Sequence, residues 1–226
     1  TEGLRFDFDK YRKFRDEVEP FLNTPKLRWE YTRLYADALN LNDEKAAAFA
    51  EYLKLVDLAG DPSLDGKQDN ALVTPPETWI RTRLNEVYRS ASDEERANFN
   101  RDIDRRWELV SRKDDPKAFA RFARTFPDHR YAGAAQKRAV ELGKPSMTPL
   151  EREMGLAALT ESADPAIAAY AYAEWTRLLL DQKRYEETSR LFDILEHRFA
   201  DVDCYPGKSG GALAIAWKLE ISHAGA

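Results

Sequence analysis

The chain has 226 residues, enough to bury roughly 70% of its unfolded surface with no help from a disulfide or a metal. Its 35 Lys and Arg are interleaved with 40 Asp and Glu for a net charge of −5, which disfavours a general nucleic-acid binder, since that function needs a patch of one sign. Cys204 is the only cysteine, so no intrachain disulfide is possible and the thiol suits cytoplasm and periplasm equally.

No run approaches the roughly 18 apolar residues of a membrane span, so direct membrane insertion is not expected. The chain opens at Thr1 without the charged-then-apolar order of a signal peptide, and reads as excised from something longer or processed.

Apolar spacing predicts helices from Asp9 to Leu22, Leu27 to Leu39 and Asp43 to Ala59. Gly60 to Val73, rich in Asp, Gly, Pro and Asn, follows as an irregular segment. It is read as an excursion within one array, although it would also separate an N-terminal three-helix part. Helix starts are then marked chemically. Thr74-Pro75-Pro76-Glu77, Ser92-Asp93-Glu94-Glu95 and Thr148-Pro149-Leu150-Glu151 each place a hydroxyl three residues before a glutamate, the capping-box pattern. Asp115-Pro116 and Asp164-Pro165 pair an aspartate cap with proline at the first helical position.

Between these signals Trp79, Leu84, Val87, Tyr88 and Ala91 line one helix, Phe99, Ile103, Trp107 and Val110 the next, and Phe119, Phe122, Ala123 and Phe126 a third. Further helices are predicted from Tyr131 to Leu142, Leu150 to Thr160, Pro165 to Leu180, Tyr185 to Phe199 and Ala212 to Leu219. About eleven helices joined by short turns, with nothing alternating at period two for long, predict an all-α fold over a single domain, 1–226.

The segment Asp164 to Phe199 reads as a helical hairpin. One stripe is Ala168, Tyr172, Trp175 and Leu179, the facing one Tyr185, Thr188, Phe192, Leu195 and Phe199, with the polar turn Asp181-Gln182-Lys183-Arg184 between them. Tyr172, Trp175, Leu179, Tyr185, Phe192, Leu195 and Phe199 are therefore expected to form a hairpin core. A hairpin this short cannot bury both faces alone, so its neighbours must stack on it as in a helical repeat array.

That hairpin resembles a tetratricopeptide repeat, with Tyr172, Trp175 and Leu179 at the first-helix positions and Tyr185-Glu186-Glu187-Thr188, Phe192 and Leu195 in the second. It departs from the pattern at Thr176, Thr188 and Leu195, where glycine or alanine is favoured, and at Ala200, where proline is. A weaker echo sets Leu27, Tyr31, Leu34 and Ala38 against Ala48, Tyr52 and Leu55, and Phe126-Pro127-Asp128 before Tyr131 looks like a junction between repeats. The resemblance implies a right-handed α-solenoid of antiparallel hairpins, without catalysis, that holds a protein or peptide, including another domain of the same parent chain.

The order Ala47-Phe49-Tyr52-Leu55-Asp57-Leu58, Trp79-Arg83-Leu84, Glu95-Arg96 to Trp107-Glu108, and Phe199-Ala200-Asp201-Val202 before Pro206-Gly207-Lys208 is similar to the helical region of large bacterial proteins that also carry PQQ-type β-propeller repeats. Any quinone chemistry that likeness implies would belong to the propeller, of which this chain has no strand.

Candidate sites are few. Gly207-Lys208-Ser209 looks like the end of a phosphate loop, but Val202 stands where another glycine is needed, so the expectation is a glycine-rich turn with Ser209 capping the last helix. Asp61, Ser63, Asp65, Gly66 and Asp69 match a calcium loop whose twelfth place is Leu72 instead of the bidentate glutamate. His129, His197 and His223 lack the close spacing of helical metal ligands. Asp201 and Asp203 should raise the Cys204 pKa and blunt its reactivity. No cofactor, metal or catalytic residue is therefore expected. Tyr170, on a different face from Tyr172, and Tyr131, after a turn, are the expected partner-binding residues, because aromatics often anchor a bound chain. The alternatives to a protein-binding scaffold are a regulatory module holding a small molecule between helices and, less favoured, an all-α enzyme.

Overall fold

The computed structural model describes residues 13–15, 17–61, 64 and 74–224. Most of them are helical: ten α-helices, a short 3-10 turn at Glu19–Phe21 and one small sheet. Among the described residues no helix is long and apolar enough to cross a membrane. The helix expected from Asp9 to Leu22 lies partly outside the described residues, as does the calcium-like loop apart from Asp61 and Leu64. The chain divides into two compact units, 1–109 and 110–226.

The first unit holds α1 (Pro25–Leu41), α2 (Lys45–Leu58), α3 (Pro76–Ser90) and most of α4 (Asp93–Ser111). Helix α2 packs on both α1 and α3, so the helices on either side of the 60–73 segment touch. The core is aromatic. Phe49 and Phe99 stack at 4.1 Å, and Trp79 meets Trp29 at 6.2 Å and Tyr52 at 5.9 Å edge to face, geometry that suits the ring quadrupoles. The buried Tyr52 hydroxyl donates to Asp37 at 2.7 Å. Burial, then that bond, pushes its phenol well above the usual range.

The second unit holds α5 (Pro116–Thr125), α6 (Ala132–Gly143), α7 (Pro149–Thr160), α8 (Pro165–Asp181), α9 (Tyr185–His197), strands β1 (Asp203–Tyr205) and β2 (Lys208–Ser209), and α10 (Gly210–Ala224). Helix α8 is central and buried nearly all round, and it packs on α6, α7, α9, β1 and α10. On one side Ile167, Ala171 and Leu178 meet Val140, Leu156 and Leu159, with Trp175 packed against them. On the other, Ala168, Ala169 and Ala173 meet Phe192, Leu195, Phe199, Leu213 and Trp217. The alanines carry no side-chain entropy to lose and let neighbouring backbones come close.

Local chemistry sets the boundaries. Ser92 and Thr148 form reciprocal capping boxes with Glu95 and Glu151, and Asp115 and Asp164 accept from Lys117 and Ala166 N–H, each at 2.9 Å. Thr74 does not cap. Two prolines follow it, Pro76 takes the first helical place, and Pro75 becomes the N-cap with no side chain to offer. The strands were not expected. Three and two residues are too few for an alternating pattern, and Pro206-Gly207, with Gly207 at φ 69°, folds them into a register of Asp203 with Ser209 and Tyr205 with Lys208. Ser209 Oγ accepts the Ala212 N–H at 3.4 Å, the cap anticipated for the last helix.

One equivalence runs through both units. The turns after α1 and α8 share three backbone bonds at an offset of 140 residues: Asn42 to Ala38 and Gln182 to Leu178, Asp43 to Asn40 and Lys183 to Leu180, Glu44 to Leu39 and Arg184 to Leu179. Asp43 and Lys183 are left-handed, at φ 63° and 60°. Both first helices begin on proline, and several buried positions coincide, among them Ala36 with Thr176, Leu39 with Leu179, Ala48 with Thr188, Tyr52 with Phe192 and Leu55 with Leu195.

Candidate binding cleft

In the second unit a cleft of about 800 Å³ opens between the segment from the α5–α6 turn into α6 and the segment joining α7 to α8. Phe126 ends α5, Pro127 prevents its continuation, and Asp128, His129 and Arg130 are carried to one wall. Glu161, Ser162 and Asp164 come from the other, with Leu159 and Ile167 as apolar floor. Asp164 already caps α8, while Asp128 and Glu161 are exposed. The carboxylates of Asp128, Glu161 and Asp164 outnumber the one guanidinium of Arg130, so the lining favours a cationic group.

The expected site residues fall in different places. Tyr131 lies beside the cleft, between the lining residues Arg130 and Ala132; it is half-buried, with the Arg130 guanidinium 4.8 Å from its ring centre. His129, set aside as a ligand, is part of the wall, its ring 6.1 Å from Phe122 and 5.5 Å from Tyr131.

Tyr170, expected on the surface as a partner-binding residue, is instead buried, at 4% exposure. Helix α8 is covered on both sides, so a residue off one stripe still meets a neighbour: the Lys137 ammonium lies 4.2 Å over its ring and Tyr205 stands edge-on at 6.0 Å. Burial, then the charges of Glu174 and Glu141, pushes its phenol far up.

Among the hairpin residues Leu179, Phe192, Leu195 and Phe199 are buried, and Tyr172 is half-buried with its ring 5.5 Å from Phe199. Trp175 does not face α9; it joins the cluster on the α7 side. Tyr185 is 43% exposed instead of core. It is the first residue of α9, and the equivalent position in α2 is the lysine Lys45.

Beneath Tyr170 lies a buried carboxylate that sequence reasoning missed. Glu174 pairs with Lys144, accepts the Tyr205 hydroxyl at 2.8 Å and has Arg152 at 3.9 Å. The network ties α6, α7, α8 and β1 together. It satisfies a charge whose isolated burial would cost several kcal/mol, on the order given for unpaired ions. Cys204, next to Tyr205, is buried, and burial followed by the Asp203 charge pushes its thiol up to about 11; burial thus outweighs the acidic neighbours as the cause.

Among the described residues no group of three or more His, Cys, Asp or Glu is placed to hold a metal ion. The chain matches no protein-family model, no curated protein and no solved structure.

Proposed function

We propose that this chain is a non-catalytic, degenerate tetratricopeptide-like module that binds a polypeptide, either a separate protein or another domain of its parent chain. The observation that carries the reading is the pair of equivalent helix–turn–helix elements, offset by 140 residues and closed by the same left-handed turn. That offset is about four times the roughly 34-residue period of such repeats. In a right-handed array of such pairs, turns and first helices line a continuous surface, and a cleft between successive turns is a natural place for a bound segment. Helix α7 adds to it: Leu150 and Met154 are exposed and lie in one row with Ala158 of the cleft lining.

The test is a pull-down with the full chain from cells of its native source, followed by hydrogen exchange on the recovered complex. Protection of residues 127–136 and 158–167, lost together with binding on Glu161→Lys, is expected. Recovery of a stoichiometric small metabolite with no polypeptide would replace this reading with a module that binds a small molecule between helices.

A further inference from the structure

The cleft of the second unit continues onto the surface of α7. Leu150, Met154, Ala158 and Glu161 follow one another at steps of four, four and three, along one side of that helix, and all four are exposed. Ala158 and Glu161 belong to the cleft lining, so the apolar row leads into it. At its far end Asp128 and Glu161 stand on opposite walls, and neither side chain forms an ion pair or hydrogen bond among the described residues. Asp164 adds a carboxylate already committed to capping α8. The Arg130 guanidinium lies 4.8 Å from the centre of the Tyr131 ring. The floor is narrow: a Cβ on Gly133 would lie 2.9 Å from Ile167 Cδ1 and 3.2 Å from Ser162 Oγ. A helix is about 10–12 Å across with its side chains, too wide for walls that close to side-chain distance. One side chain can enter there, carried by a chain lying above it.

We infer, resting on the polypeptide-binding reading above, that the segment this cleft takes is an extended strand with a basic anchor: a lysine or arginine enters between Asp128 and Glu161, and two apolar side chains seat on Met154 and Leu150. Charge complementarity sets the anchor, because a cation there gains two exposed carboxylates in exchange for water, whereas an acidic side chain would meet like charge. The row sets the spacing. Leu150 and Met154 are about 6 Å apart along the helix axis and Met154 and Glu161 about 10 Å. An extended chain rises about 3.3 Å per residue and points alternate side chains to one face. Two apolar residues with one between them therefore match the first interval, and about three residues span the second. A small cation alone would occupy the acidic end and leave the apolar row uncovered.

The test selects a phage-displayed library of short random peptides on the full chain and maps each enriched peptide by hydrogen exchange. Enriched sequences should share two apolar residues separated by one, with a lysine or arginine about three residues from the pair, the spacing expected of an extended chain. Replacing that basic residue by glutamine should weaken binding at least about tenfold, as should Glu161→Lys in the protein. A peptide with glutamate at the anchor should regain affinity for Glu161→Lys, a rescue that a merely structural role for Glu161 would not give. Asp128→Asn and Met154→Ser are the milder variants, each expected to weaken binding, and circular dichroism checks that every variant stays helical. Peptides that protect residues 127–136 and 158–167 but show no basic preference, or that bind as helices with apolar residues four apart, overturn this inference and leave the polypeptide-binding reading standing. Enrichment of no peptide, or protection away from those residues, overturns both.

Discussion

Truncating Phe192 tests the packing of the second unit most directly. Its ring is buried in one cluster with Ala168, Ala169, Ala173, Leu195, Phe199, Leu213 and Trp217, drawn from α8, α9, the turn after α9 and α10, and the Lys218 ammonium lies 5.6 Å from its centre. Phe→Ala in a core costs about 3–5 kcal/mol, the spread reflecting how far the surroundings collapse into the space. Collapse is poor here, because the α8 neighbours are alanines with nothing to swing inward, so Phe192→Ala should fall near the top of that range. Tyr185, in the same helix but 43% exposed, provides the control, and its alanine variant should cost less than about 1 kcal/mol. Urea unfolding followed by far-ultraviolet circular dichroism measures both, and the slope with denaturant should be unchanged. In a thermal scan Phe192→Ala should lower Tm by at least about 6 °C. Equal costs for the two variants, or a cost below about 1 kcal/mol for Phe192→Ala, would show that α9 is not seated on α8 as described.

Gly210→Ala should destabilise strongly, since its Cβ would lie 2.5 Å from the Phe199 carbonyl oxygen and 2.9 Å from that of Leu195; a variant with unchanged Tm would contradict that close approach. Thr148→Ala should cost about 1 kcal/mol through loss of the capping box, read from the urea midpoint. Cys204 titrates higher in the fold than in the unfolded chain, so the unfolded state loses its proton first. Its contribution is fully present below the unfolded pKa and declines as pH rises from about 9 towards 11, by at most about 2–3 kcal/mol. Stability measured across that window should fall more steeply for the natural chain than for Cys204→Ala, and parallel curves would refute the burial of the thiol. At neutral pH the native thiol should also react far more slowly with a disulfide reagent than the urea-unfolded one.

What could be read from the sequence was what neighbours along the chain decide. Ser92, Asp115, Thr148 and Asp164 cap helices because the groups they satisfy lie two or three residues away, and Thr74 failed for an equally local reason, the second proline. Periodicity located the faces of α8 without revealing that both are covered, so Tyr170 was placed outside and Trp175 against the wrong neighbour. The Glu174 network joins residues from Lys144 to Tyr205, and no spacing rule links a carboxylate to a lysine thirty positions before it. The cleft escaped for the same reason: Asp128 and Glu161 occupy turns, where no pattern repeats, and only the packing of α6 near α8 brings them to one opening.

Of the two left-handed turns, the one at Lys183 also holds a reserve of stability. A side chain in that conformation strains the backbone by about 1–2 kcal/mol relative to glycine, while glycine loses roughly 0.5–1 kcal/mol more freedom on folding. Replacing Lys183 with glycine should therefore raise stability slightly, and asparagine, which tolerates the left-handed region, should do so without the entropic loss, while the same changes at Asp43, itself tolerant of that region, should do little. Asp43 already belongs to the residues that tolerate this region, so the first turn is shaped in part by its own sequence, whereas Lys183 is held there by the backbone bonds of the helices it joins, and that link alone is under tension from its framework.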